Sequence, residues 1–164
     1  MMTDTPEIDA MTKYTRAKLL NFMHGDEFST SFLLKIMQVL HVWDDLIDGD
    51  IIPTDEEINR VFWLSLIELP LDPFYTQHFA ALHPLVVNSI MNWQAANKLE
   101  STNNRADKEI SYILRSSYID ILVMCALIVG GKKWADNVAV EARRWEHTEG
   151  FDEYLELLRK EVKR

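Results

Sequence analysis

The chain has 164 residues, of which 48% are hydrophobic, and a formal net charge of −9 at pH 7. This length and composition suffice for a globular domain with its own core and exclude an intrinsically disordered protein. The negative charge argues against nucleic acid as a partner, because binding to phosphate backbones depends on clustered Lys and Arg. With five Gly and five Pro, the chain is also too poor in turn residues for an all-β protein, which needs a turn about every ten residues.

The N-terminal third of the chain predicts two helices. Thr5-Pro6 forms a helix start, a capping hydroxyl followed by a proline at the first helical position, and Gly25 ends that helix. Apolar residues at spacings of three and four predict a second helix over Glu27–Asp48, with Gly49 as its C-terminal stop. The core face predicted for this second helix consists of Phe32, Ile36, Val39, Leu40, Trp43 and Ile47.

Helix start and stop signals continue through the middle of the chain. Thr54–Glu57 has the form of a capping box, and the helix that it opens is expected to end at Pro70. Asp72-Pro73 begins a short segment. Pro84 then either kinks that segment or begins the next helix, which ends near Glu100.

The second half of the chain contains the most apolar helix. Ser101–Arg105 is predicted to be a loop, and Ala106–Val129 a helix that is hydrophobic nearly all round in its second half. Gly130-Gly131 is expected to break that helix. Two amphipathic helices, Trp134–Thr148 and Phe151–Val162, are expected to follow.

The sequence contains no strand-like alternation of apolar and polar residues and no internal repeat. It therefore predicts an all-α fold, a single domain over residues 1–164 formed by a bundle of six to eight helices. The one cysteine, Cys125, excludes an intramolecular disulfide and makes a cytoplasmic location the simplest prediction. The apolar run Ile121–Val129 is shorter than the roughly 20 residues that span a bilayer, and Met1–Ala10 is too polar for a signal peptide. We therefore expect no membrane span.

The most unusual stretch is His41–Asp50, which has four carboxylates in its last seven residues. On a helix, Asp44 and Asp48 lie one turn apart, and Asp45 is a neighbour of Asp48. Each acid lies at the negative end of the helix dipole, which costs about 0.3–1 kcal/mol. Like charges about 4 Å apart also repel by roughly 1 kcal/mol in water.

A divalent cation would relieve both penalties. Mg²⁺ prefers oxygen ligands and usually keeps water or substrate phosphate oxygens in its coordination shell. The spacing therefore predicts Asp44, Asp45 and Asp48 as ligands of Mg²⁺, with Mn²⁺ as a substitute. His41 would orient Asp45 or join the ligands. A solvated helix end with no ligand is the alternative.

The sequence Asp44-Asp45-Leu46-Ile47-Asp48 resembles the aspartate-rich motif of the isoprenoid synthase superfamily, which includes the class I terpene synthases and the prenyl synthases. The resemblance extends over Phe32–Asp50. It implies a reduced form of that family's all-α bundle, with Mg²⁺ and a prenyl diphosphate bound inside and the three aspartates as metal ligands. The second metal-binding motif of the family does not occur in the sequence. The nearest substitutes are Asn88 with Asn92, or Glu109 with Ser116 and Asp120.

Two classes of function follow. The first is a Mg²⁺-dependent enzyme, similar to a prenyl-diphosphate transferase or lyase, whose partner is a small molecule containing a diphosphate; its catalytic residues stay unassigned. An all-α nucleotide pyrophosphohydrolase is a further enzyme alternative, but its paired Glu-x-x-Glu and Glu-x-x-Asp motifs are missing from the sequence. The second class is a small non-catalytic helical protein, or a homo-oligomeric interaction module, that has kept an acidic helix end. The lack of a second motif favours this class.

Several polar residues have an ordinary structural interpretation. Asp120 lies on the most apolar helix, and we expect it to have an ion-pair partner because an unpaired buried charge is costly. Asn88 and Asn92 are expected to form hydrogen bonds between helices. The tryptophans, Trp63 among them, are expected to be core or interface residues.

Overall fold

A computed structural model of the chain describes residues 15–161. These residues form helices, turns and short connections without a strand, which confirms the all-α fold. The predicted helix start at Thr5-Pro6 lies outside the described residues. The elements are α1 (residues 15–22), α2 (Glu27–Asp48), α3 (Asp55–Trp63), a π-helix (Leu64–Glu68), a 3₁₀-helix (Leu69–Leu71), α4 (Pro73–Gln77), α5 (Phe79–Glu100), α6 (Arg105–Leu114), α7 (Ile119–Glu146) and α8 (Phe151–Glu161).

The chain divides into two compact units, Met1–Phe79 and Ala80–Arg164. We refer to them as the N-terminal unit and the C-terminal unit. The single domain over residues 1–164 stays a prediction.

Helix α2 of the N-terminal unit has a defined cap at each end. The Asp26 carboxylate accepts a hydrogen bond from the Ser29 backbone N–H at 2.7 Å. At the other end Gly49 has a φ of +70°, which an L side chain rarely adopts, and its N–H donates to the Asp45 carbonyl at 3.0 Å. Both predicted ends of α2 are therefore confirmed. The predicted core face is wrong at Ile47, which is exposed because the buried part of the helix ends at Val42.

The segment after α2 begins with the predicted capping box. The Glu57 N–H donates to the Thr54 hydroxyl at 3.2 Å, and the Thr54 N–H donates to the Glu57 carboxylate at 2.7 Å. The helix does not run unbroken to Pro70 as predicted. It changes to π-helical and then 3₁₀ hydrogen bonding and ends at Leu71, so it turns its side chains differently from a regular α-helix.

Aromatic packing joins α2 and α4 in the core of the N-terminal unit. The Phe32 ring stacks on that of Tyr75 with centroids 5.0 Å apart, and its centroid lies 6.0 Å from that of Phe74. The start of α4 is fixed by Asp72, whose carboxylate accepts from the Tyr75 N–H at 3.0 Å and from the Lys35 ammonium at 2.8 Å. The predicted restart at Asp72-Pro73 is therefore confirmed.

The C-terminal unit contains one break that the sequence did not predict. Helix α5 ends at Glu100 as expected, but the predicted helix Ala106–Val129 is interrupted by turns between Leu114 and Ile119. The hydroxyls of Ser116 and Ser117 donate to carbonyl oxygens three residues earlier, at 3.0 and 2.7 Å. Such side-chain bonds compete with the helical backbone ladder and account for the interruption.

Helix α7 reverses direction at the predicted Gly130-Gly131 break. Gly131 has a φ of +77° and a ψ of 177°, a conformation that is essentially restricted to glycine. A straight helix of this length would separate its ends by about 42 Å. The Tyr118 hydroxyl nevertheless donates to the Glu146 carboxylate, and Arg143 pairs with Asp120. Helix α7 is therefore a pair of antiparallel arms, residues 119–130 and 132–146, joined at Gly131.

One helical stretch, Arg105–Lys160, includes a segment whose length and composition would allow it to cross a membrane. Of its most apolar 18-residue window, 39% is buried, and the core helices of soluble proteins meet the same criteria. Because the chain reverses at Gly131, this stretch is not one straight helix. The expectation of no membrane span stays a prediction.

Candidate functional site

The three predicted metal ligands lie in the last two turns of α2. Asp44 and Asp45 are half-buried, whereas Asp48, one turn after Asp44, is exposed. The last turn of α2 contains no basic residue. The dipole of a helix of 22 residues therefore acts on this group of carboxylates with its negative end.

His41 is the basic side chain that the structure places beside the acids. Its Nε2 lies 3.6 Å from a carboxylate oxygen of Asp45, one helical turn later. The Asp45 side chain is 17% exposed, whereas that of His41 is 73% exposed. A protonated His41 can therefore form an ion pair with the more protected carboxylate. From this position the His41 side chain would orient the Asp45 carboxylate.

The aspartates are suitable ligands for a hard cation by their chemistry, but their arrangement does not form a complete site. Carboxylate oxygens are the ligands that Mg²⁺ prefers. Among residues 15–161, however, no group of three or more His, Cys, Asp or Glu side chains is placed to hold a metal ion. Mg²⁺ is commonly held by one or two carboxylates, with the remaining positions taken by water and substrate phosphates. The helix end fits that open type of site and does not form a closed protein cage.

The suggested substitutes for a second metal motif have other partners within the C-terminal unit. Asn92 donates to the Ser117 hydroxyl at 3.1 Å. Asp120 has the ion-pair partner that was predicted for it, and this partner is Arg143. Asn88 is exposed. The remaining pairs are Ser116 with His147 at 2.9 Å and Glu109 with Arg105 at 3.1 Å.

No family model, no curated protein and no solved structure matches the chain. A function for the chain is therefore inferred from its side chains and their surroundings.

A buried polar network in the C-terminal unit was not predicted. The Glu100 carboxylate accepts hydrogen bonds from Arg115 at 2.5 Å, from Tyr154 at 2.9 Å and from Ser111 at 3.3 Å. Burial, together with the Glu100 charge, raises the pKa of Tyr154 to about 12. Glu100 ends α5, Ser111 lies in α6, Arg115 directly follows α6 and Tyr154 lies in α8, so the network depends on how these elements pack and not on a local pattern. Their contacts with one another indicate a structural role.

A second feature missed by the sequence is an exposed apolar surface on the N-terminal unit. Phe62 and Trp63 at the end of α3 are exposed, and so are Leu66 and Ile67 in the π-helix. We call these four residues the apolar ridge. The same segment buries Val61, Leu64 and Leu69, so it carries apolar side chains on two faces. The sequence signal was present, since an amphipathic helix with one core face does not need both sets.

Proposed function

We propose that the protein is a Mg²⁺-dependent enzyme that acts on a diphosphate ester, with one or two of the predicted ligands Asp44, Asp45 and Asp48 holding the metal in an open site. The observation that carries the proposal is the position of these three aspartates in the last turns of one helix, without a basic residue in the final turn. The resemblance of this stretch to the aspartate-rich motif of isoprenoid synthases supports a prenyl diphosphate as the class of substrate.

The aspartates and His41 would have different roles. Asp48 is exposed and would be the ligand nearer to solvent, whereas Asp45 is more protected and lies beside His41. Protonated His41 would hold the Asp45 carboxylate in a fixed orientation. The bound Mg²⁺ would neutralise the diphosphate and assist its departure as a leaving group.

The open arrangement predicts that metal and diphosphate bind together. Calorimetric titration of Mg²⁺ alone should give weak binding. Inorganic pyrophosphate should bind in the presence of Mg²⁺ and fail to bind with EDTA. In Asp45→Asn we expect pyrophosphate affinity to fall about tenfold or more, the loss of roughly one charge-assisted contact. Asp152→Asn is the matched control, because it removes an exposed carboxylate from α8.

The proposal is overturned if pyrophosphate does not bind, or if both substitutions weaken binding equally. Thermal-shift measurements with prenyl diphosphates and with nucleotides then distinguish the two enzyme alternatives. A larger Mg²⁺-dependent rise in Tm with nucleotides would favour a pyrophosphohydrolase over a prenyl-diphosphate enzyme.

The apolar ridge favours the second candidate function, an interaction module. Isolated exposed apolar side chains are common on any protein, but four within six consecutive residues are less so. This function does not require the metal site. It also does not exclude it, because Phe62 and Leu66 are on a different helix from the aspartates.

A further inference from the structure

The apolar ridge continues an ordered pattern along its helix. Within α3, side chains three and four residues apart lie over one another, and exposed residues of the π-helix extend the two resulting rows. Each row begins with an acid, continues with a polar or basic residue and ends with an aromatic and an aliphatic residue. The rows are Asp55, Asn59, Phe62 and Leu66, and beside them Glu56, Arg60, Trp63 and Ile67, and all eight are exposed.

The charge of this face is negative at one end and neutral elsewhere. Arg60 is the basic residue on the face, and its guanidinium binds the Glu68 carboxylate at 2.5 Å, which lowers the pKa of Glu68. Asp55 and Glu56, in the first turn of α3, have no such basic partner on these rows. The face therefore has an acidic end and an apolar end, about two helical turns apart.

We propose that this face is a docking surface for a partner protein that presents an amphipathic helix with Lys or Arg at one end of its apolar side. The apolar residues of the partner would cover Phe62 and Leu66 with their neighbouring row, and its cations would meet Asp55 and Glu56. Charge complementarity identifies the partner, because a purely apolar helix would cover the apolar ridge but would place no cations opposite Asp55 and Glu56. This inference is independent of the proposed metal site.

The surface fits a helix better than it fits the other possible occupants. The part of the chain that the structure describes has no strand edge to which an extended peptide could add. A second copy of this face would bring its own acids to the contact, while its Arg60 is already bound to Glu68. A membrane with anionic lipids would be repelled by Asp55 and Glu56.

A designed peptide tests the proposal directly. The probe is a fluorescein-labelled amphipathic helix of Leu and Lys, about five turns long, and the comparison peptide has Glu in place of Lys. Fluorescence anisotropy is measured with EDTA present, so that metal binding does not contribute. We expect the Leu–Lys peptide to bind and the Leu–Glu peptide to bind about tenfold more weakly or not at all.

Two double variants of the face, each with a matched double variant elsewhere in the chain, identify the surface. Phe62→Gln with Leu66→Gln should weaken peptide binding about tenfold. Val87→Gln with Met91→Gln should leave it unchanged, because these two are also exposed and four residues apart, but on α5. Asp55→Asn with Glu56→Gln should remove most of the salt dependence of binding, whereas Asp152→Asn with Glu153→Gln, the first-turn acids of α8, should not. Circular dichroism checks that each variant is folded.

Several outcomes would overturn the proposal. One is equal binding of the two peptides. A second is an equal loss of peptide affinity in the ridge variant, Phe62→Gln with Leu66→Gln, and in the α5 variant, Val87→Gln with Met91→Gln. A third is that the peptide does not bind while phosphatidylcholine vesicles do, and their binding depends on the apolar ridge. A dimer in sedimentation equilibrium that Phe62→Gln with Leu66→Gln dissociates would assign the face to a second copy instead. Asp45→Asn should leave peptide binding intact, so failure of this proposal and failure of the metal site are separate results.

Discussion

The two units of this chain differ in where their most prominent groups of polar side chains lie. In the C-terminal unit they bind one another: Glu100 accepts from three donors, and the arms of α7 are joined by Tyr118 with Glu146 and by Arg143 with Asp120. In the N-terminal unit the acids at the end of α2 and in the first turn of α3 lie half-buried or exposed, near exposed apolar residues.

This difference indicates where function is to be sought. A polar group that is satisfied internally stabilises the fold but has little capacity left for a ligand. Carboxylates that crowd at the negative end of a helix dipole cost stability, and an exposed aromatic residue leaves apolar area in water. Features that do not help the isolated fold are the better candidates for binding. The N-terminal unit has two such features, the aspartates at the end of α2 and the apolar ridge.

The largest expected effect comes from breaking the network of the C-terminal unit. Arg115→Ala removes the cation that binds Glu100 at 2.5 Å and leaves a partly buried carboxylate without it. We expect a loss of about 1.5–3 kcal/mol in the free energy of unfolding, measured by urea denaturation with far-UV circular dichroism.

Arg144→Ala is the matched control for that substitution. Arg144 pairs with Glu141 at the surface, where both side chains are more than half exposed, and such pairs contribute about 0–1 kcal/mol. If both alanine variants lose the same small amount of unfolding free energy, the Glu100 network does not stabilise the C-terminal unit. The contrast between the two units then fails.

A smaller effect, with a definite dependence on pH, is expected for Tyr154→Phe. The substitution removes the hydroxyl that binds Glu100 and Ser111, at a cost of about 1 kcal/mol at neutral pH. Burial raises the pKa of Tyr154 from 10.0 to about 12, so the hydroxyl stabilises the fold fully below pH 10. As pH rises from 10 to 12, the unfolded chain loses this proton first and the stabilisation is lost.

The measurement is the difference in unfolding free energy between the two proteins as a function of pH. Wild type and Tyr154→Phe should converge as pH rises through this window, because phenylalanine does not titrate. Other tyrosines with raised pKa, such as Tyr118, are present in both proteins and cancel in the difference. A difference that stays constant up to pH 12 would show that the Tyr154 hydroxyl is not protected by the fold.

The features that the sequence predicted correctly are those with a local physical cause. The capping box of Thr54 and Glu57, the left-handed Gly49 and the break at Gly131 each depend on neighbouring residues alone. The position of Asp44, Asp45 and Asp48 in the last two turns of α2 was predictable for the same reason, because Gly49 fixes the end of the helix.

The features that were missed depend on tertiary contacts or on a choice between two faces. Ile47 continues the apolar period of α2, and periodicity cannot tell that packing stops before it. Val61 and Phe62 are both apolar, and which one lies inside depends on what covers the helix. A facing set of metal ligands is beyond sequence reasoning for a similar reason, since the spacing along one helix says nothing about side chains brought to it from elsewhere.

The smallest effect on stability, and the sharpest test of the contrast, is expected for Asp45→Asn. Removing this charge relieves the unfavourable interaction with the helix dipole, at about 0.3–1 kcal/mol, and forfeits the pair with His41, at about 0.2–0.5 kcal/mol. The two terms nearly cancel, so the free energy of unfolding should change by less than about 0.5 kcal/mol while the Mg²⁺-dependent affinity for pyrophosphate falls about tenfold or more. Asp72→Asn is the control within the same unit, because Asp72 is buried, binds Lys35 at 2.8 Å and caps α4. It should destabilise the protein by about 1.5–3 kcal/mol in the same urea titration. If Asp45→Asn is as destabilising as Asp72→Asn, the carboxylate at the end of α2 serves the fold, and the N-terminal unit is no different in this respect from the C-terminal unit.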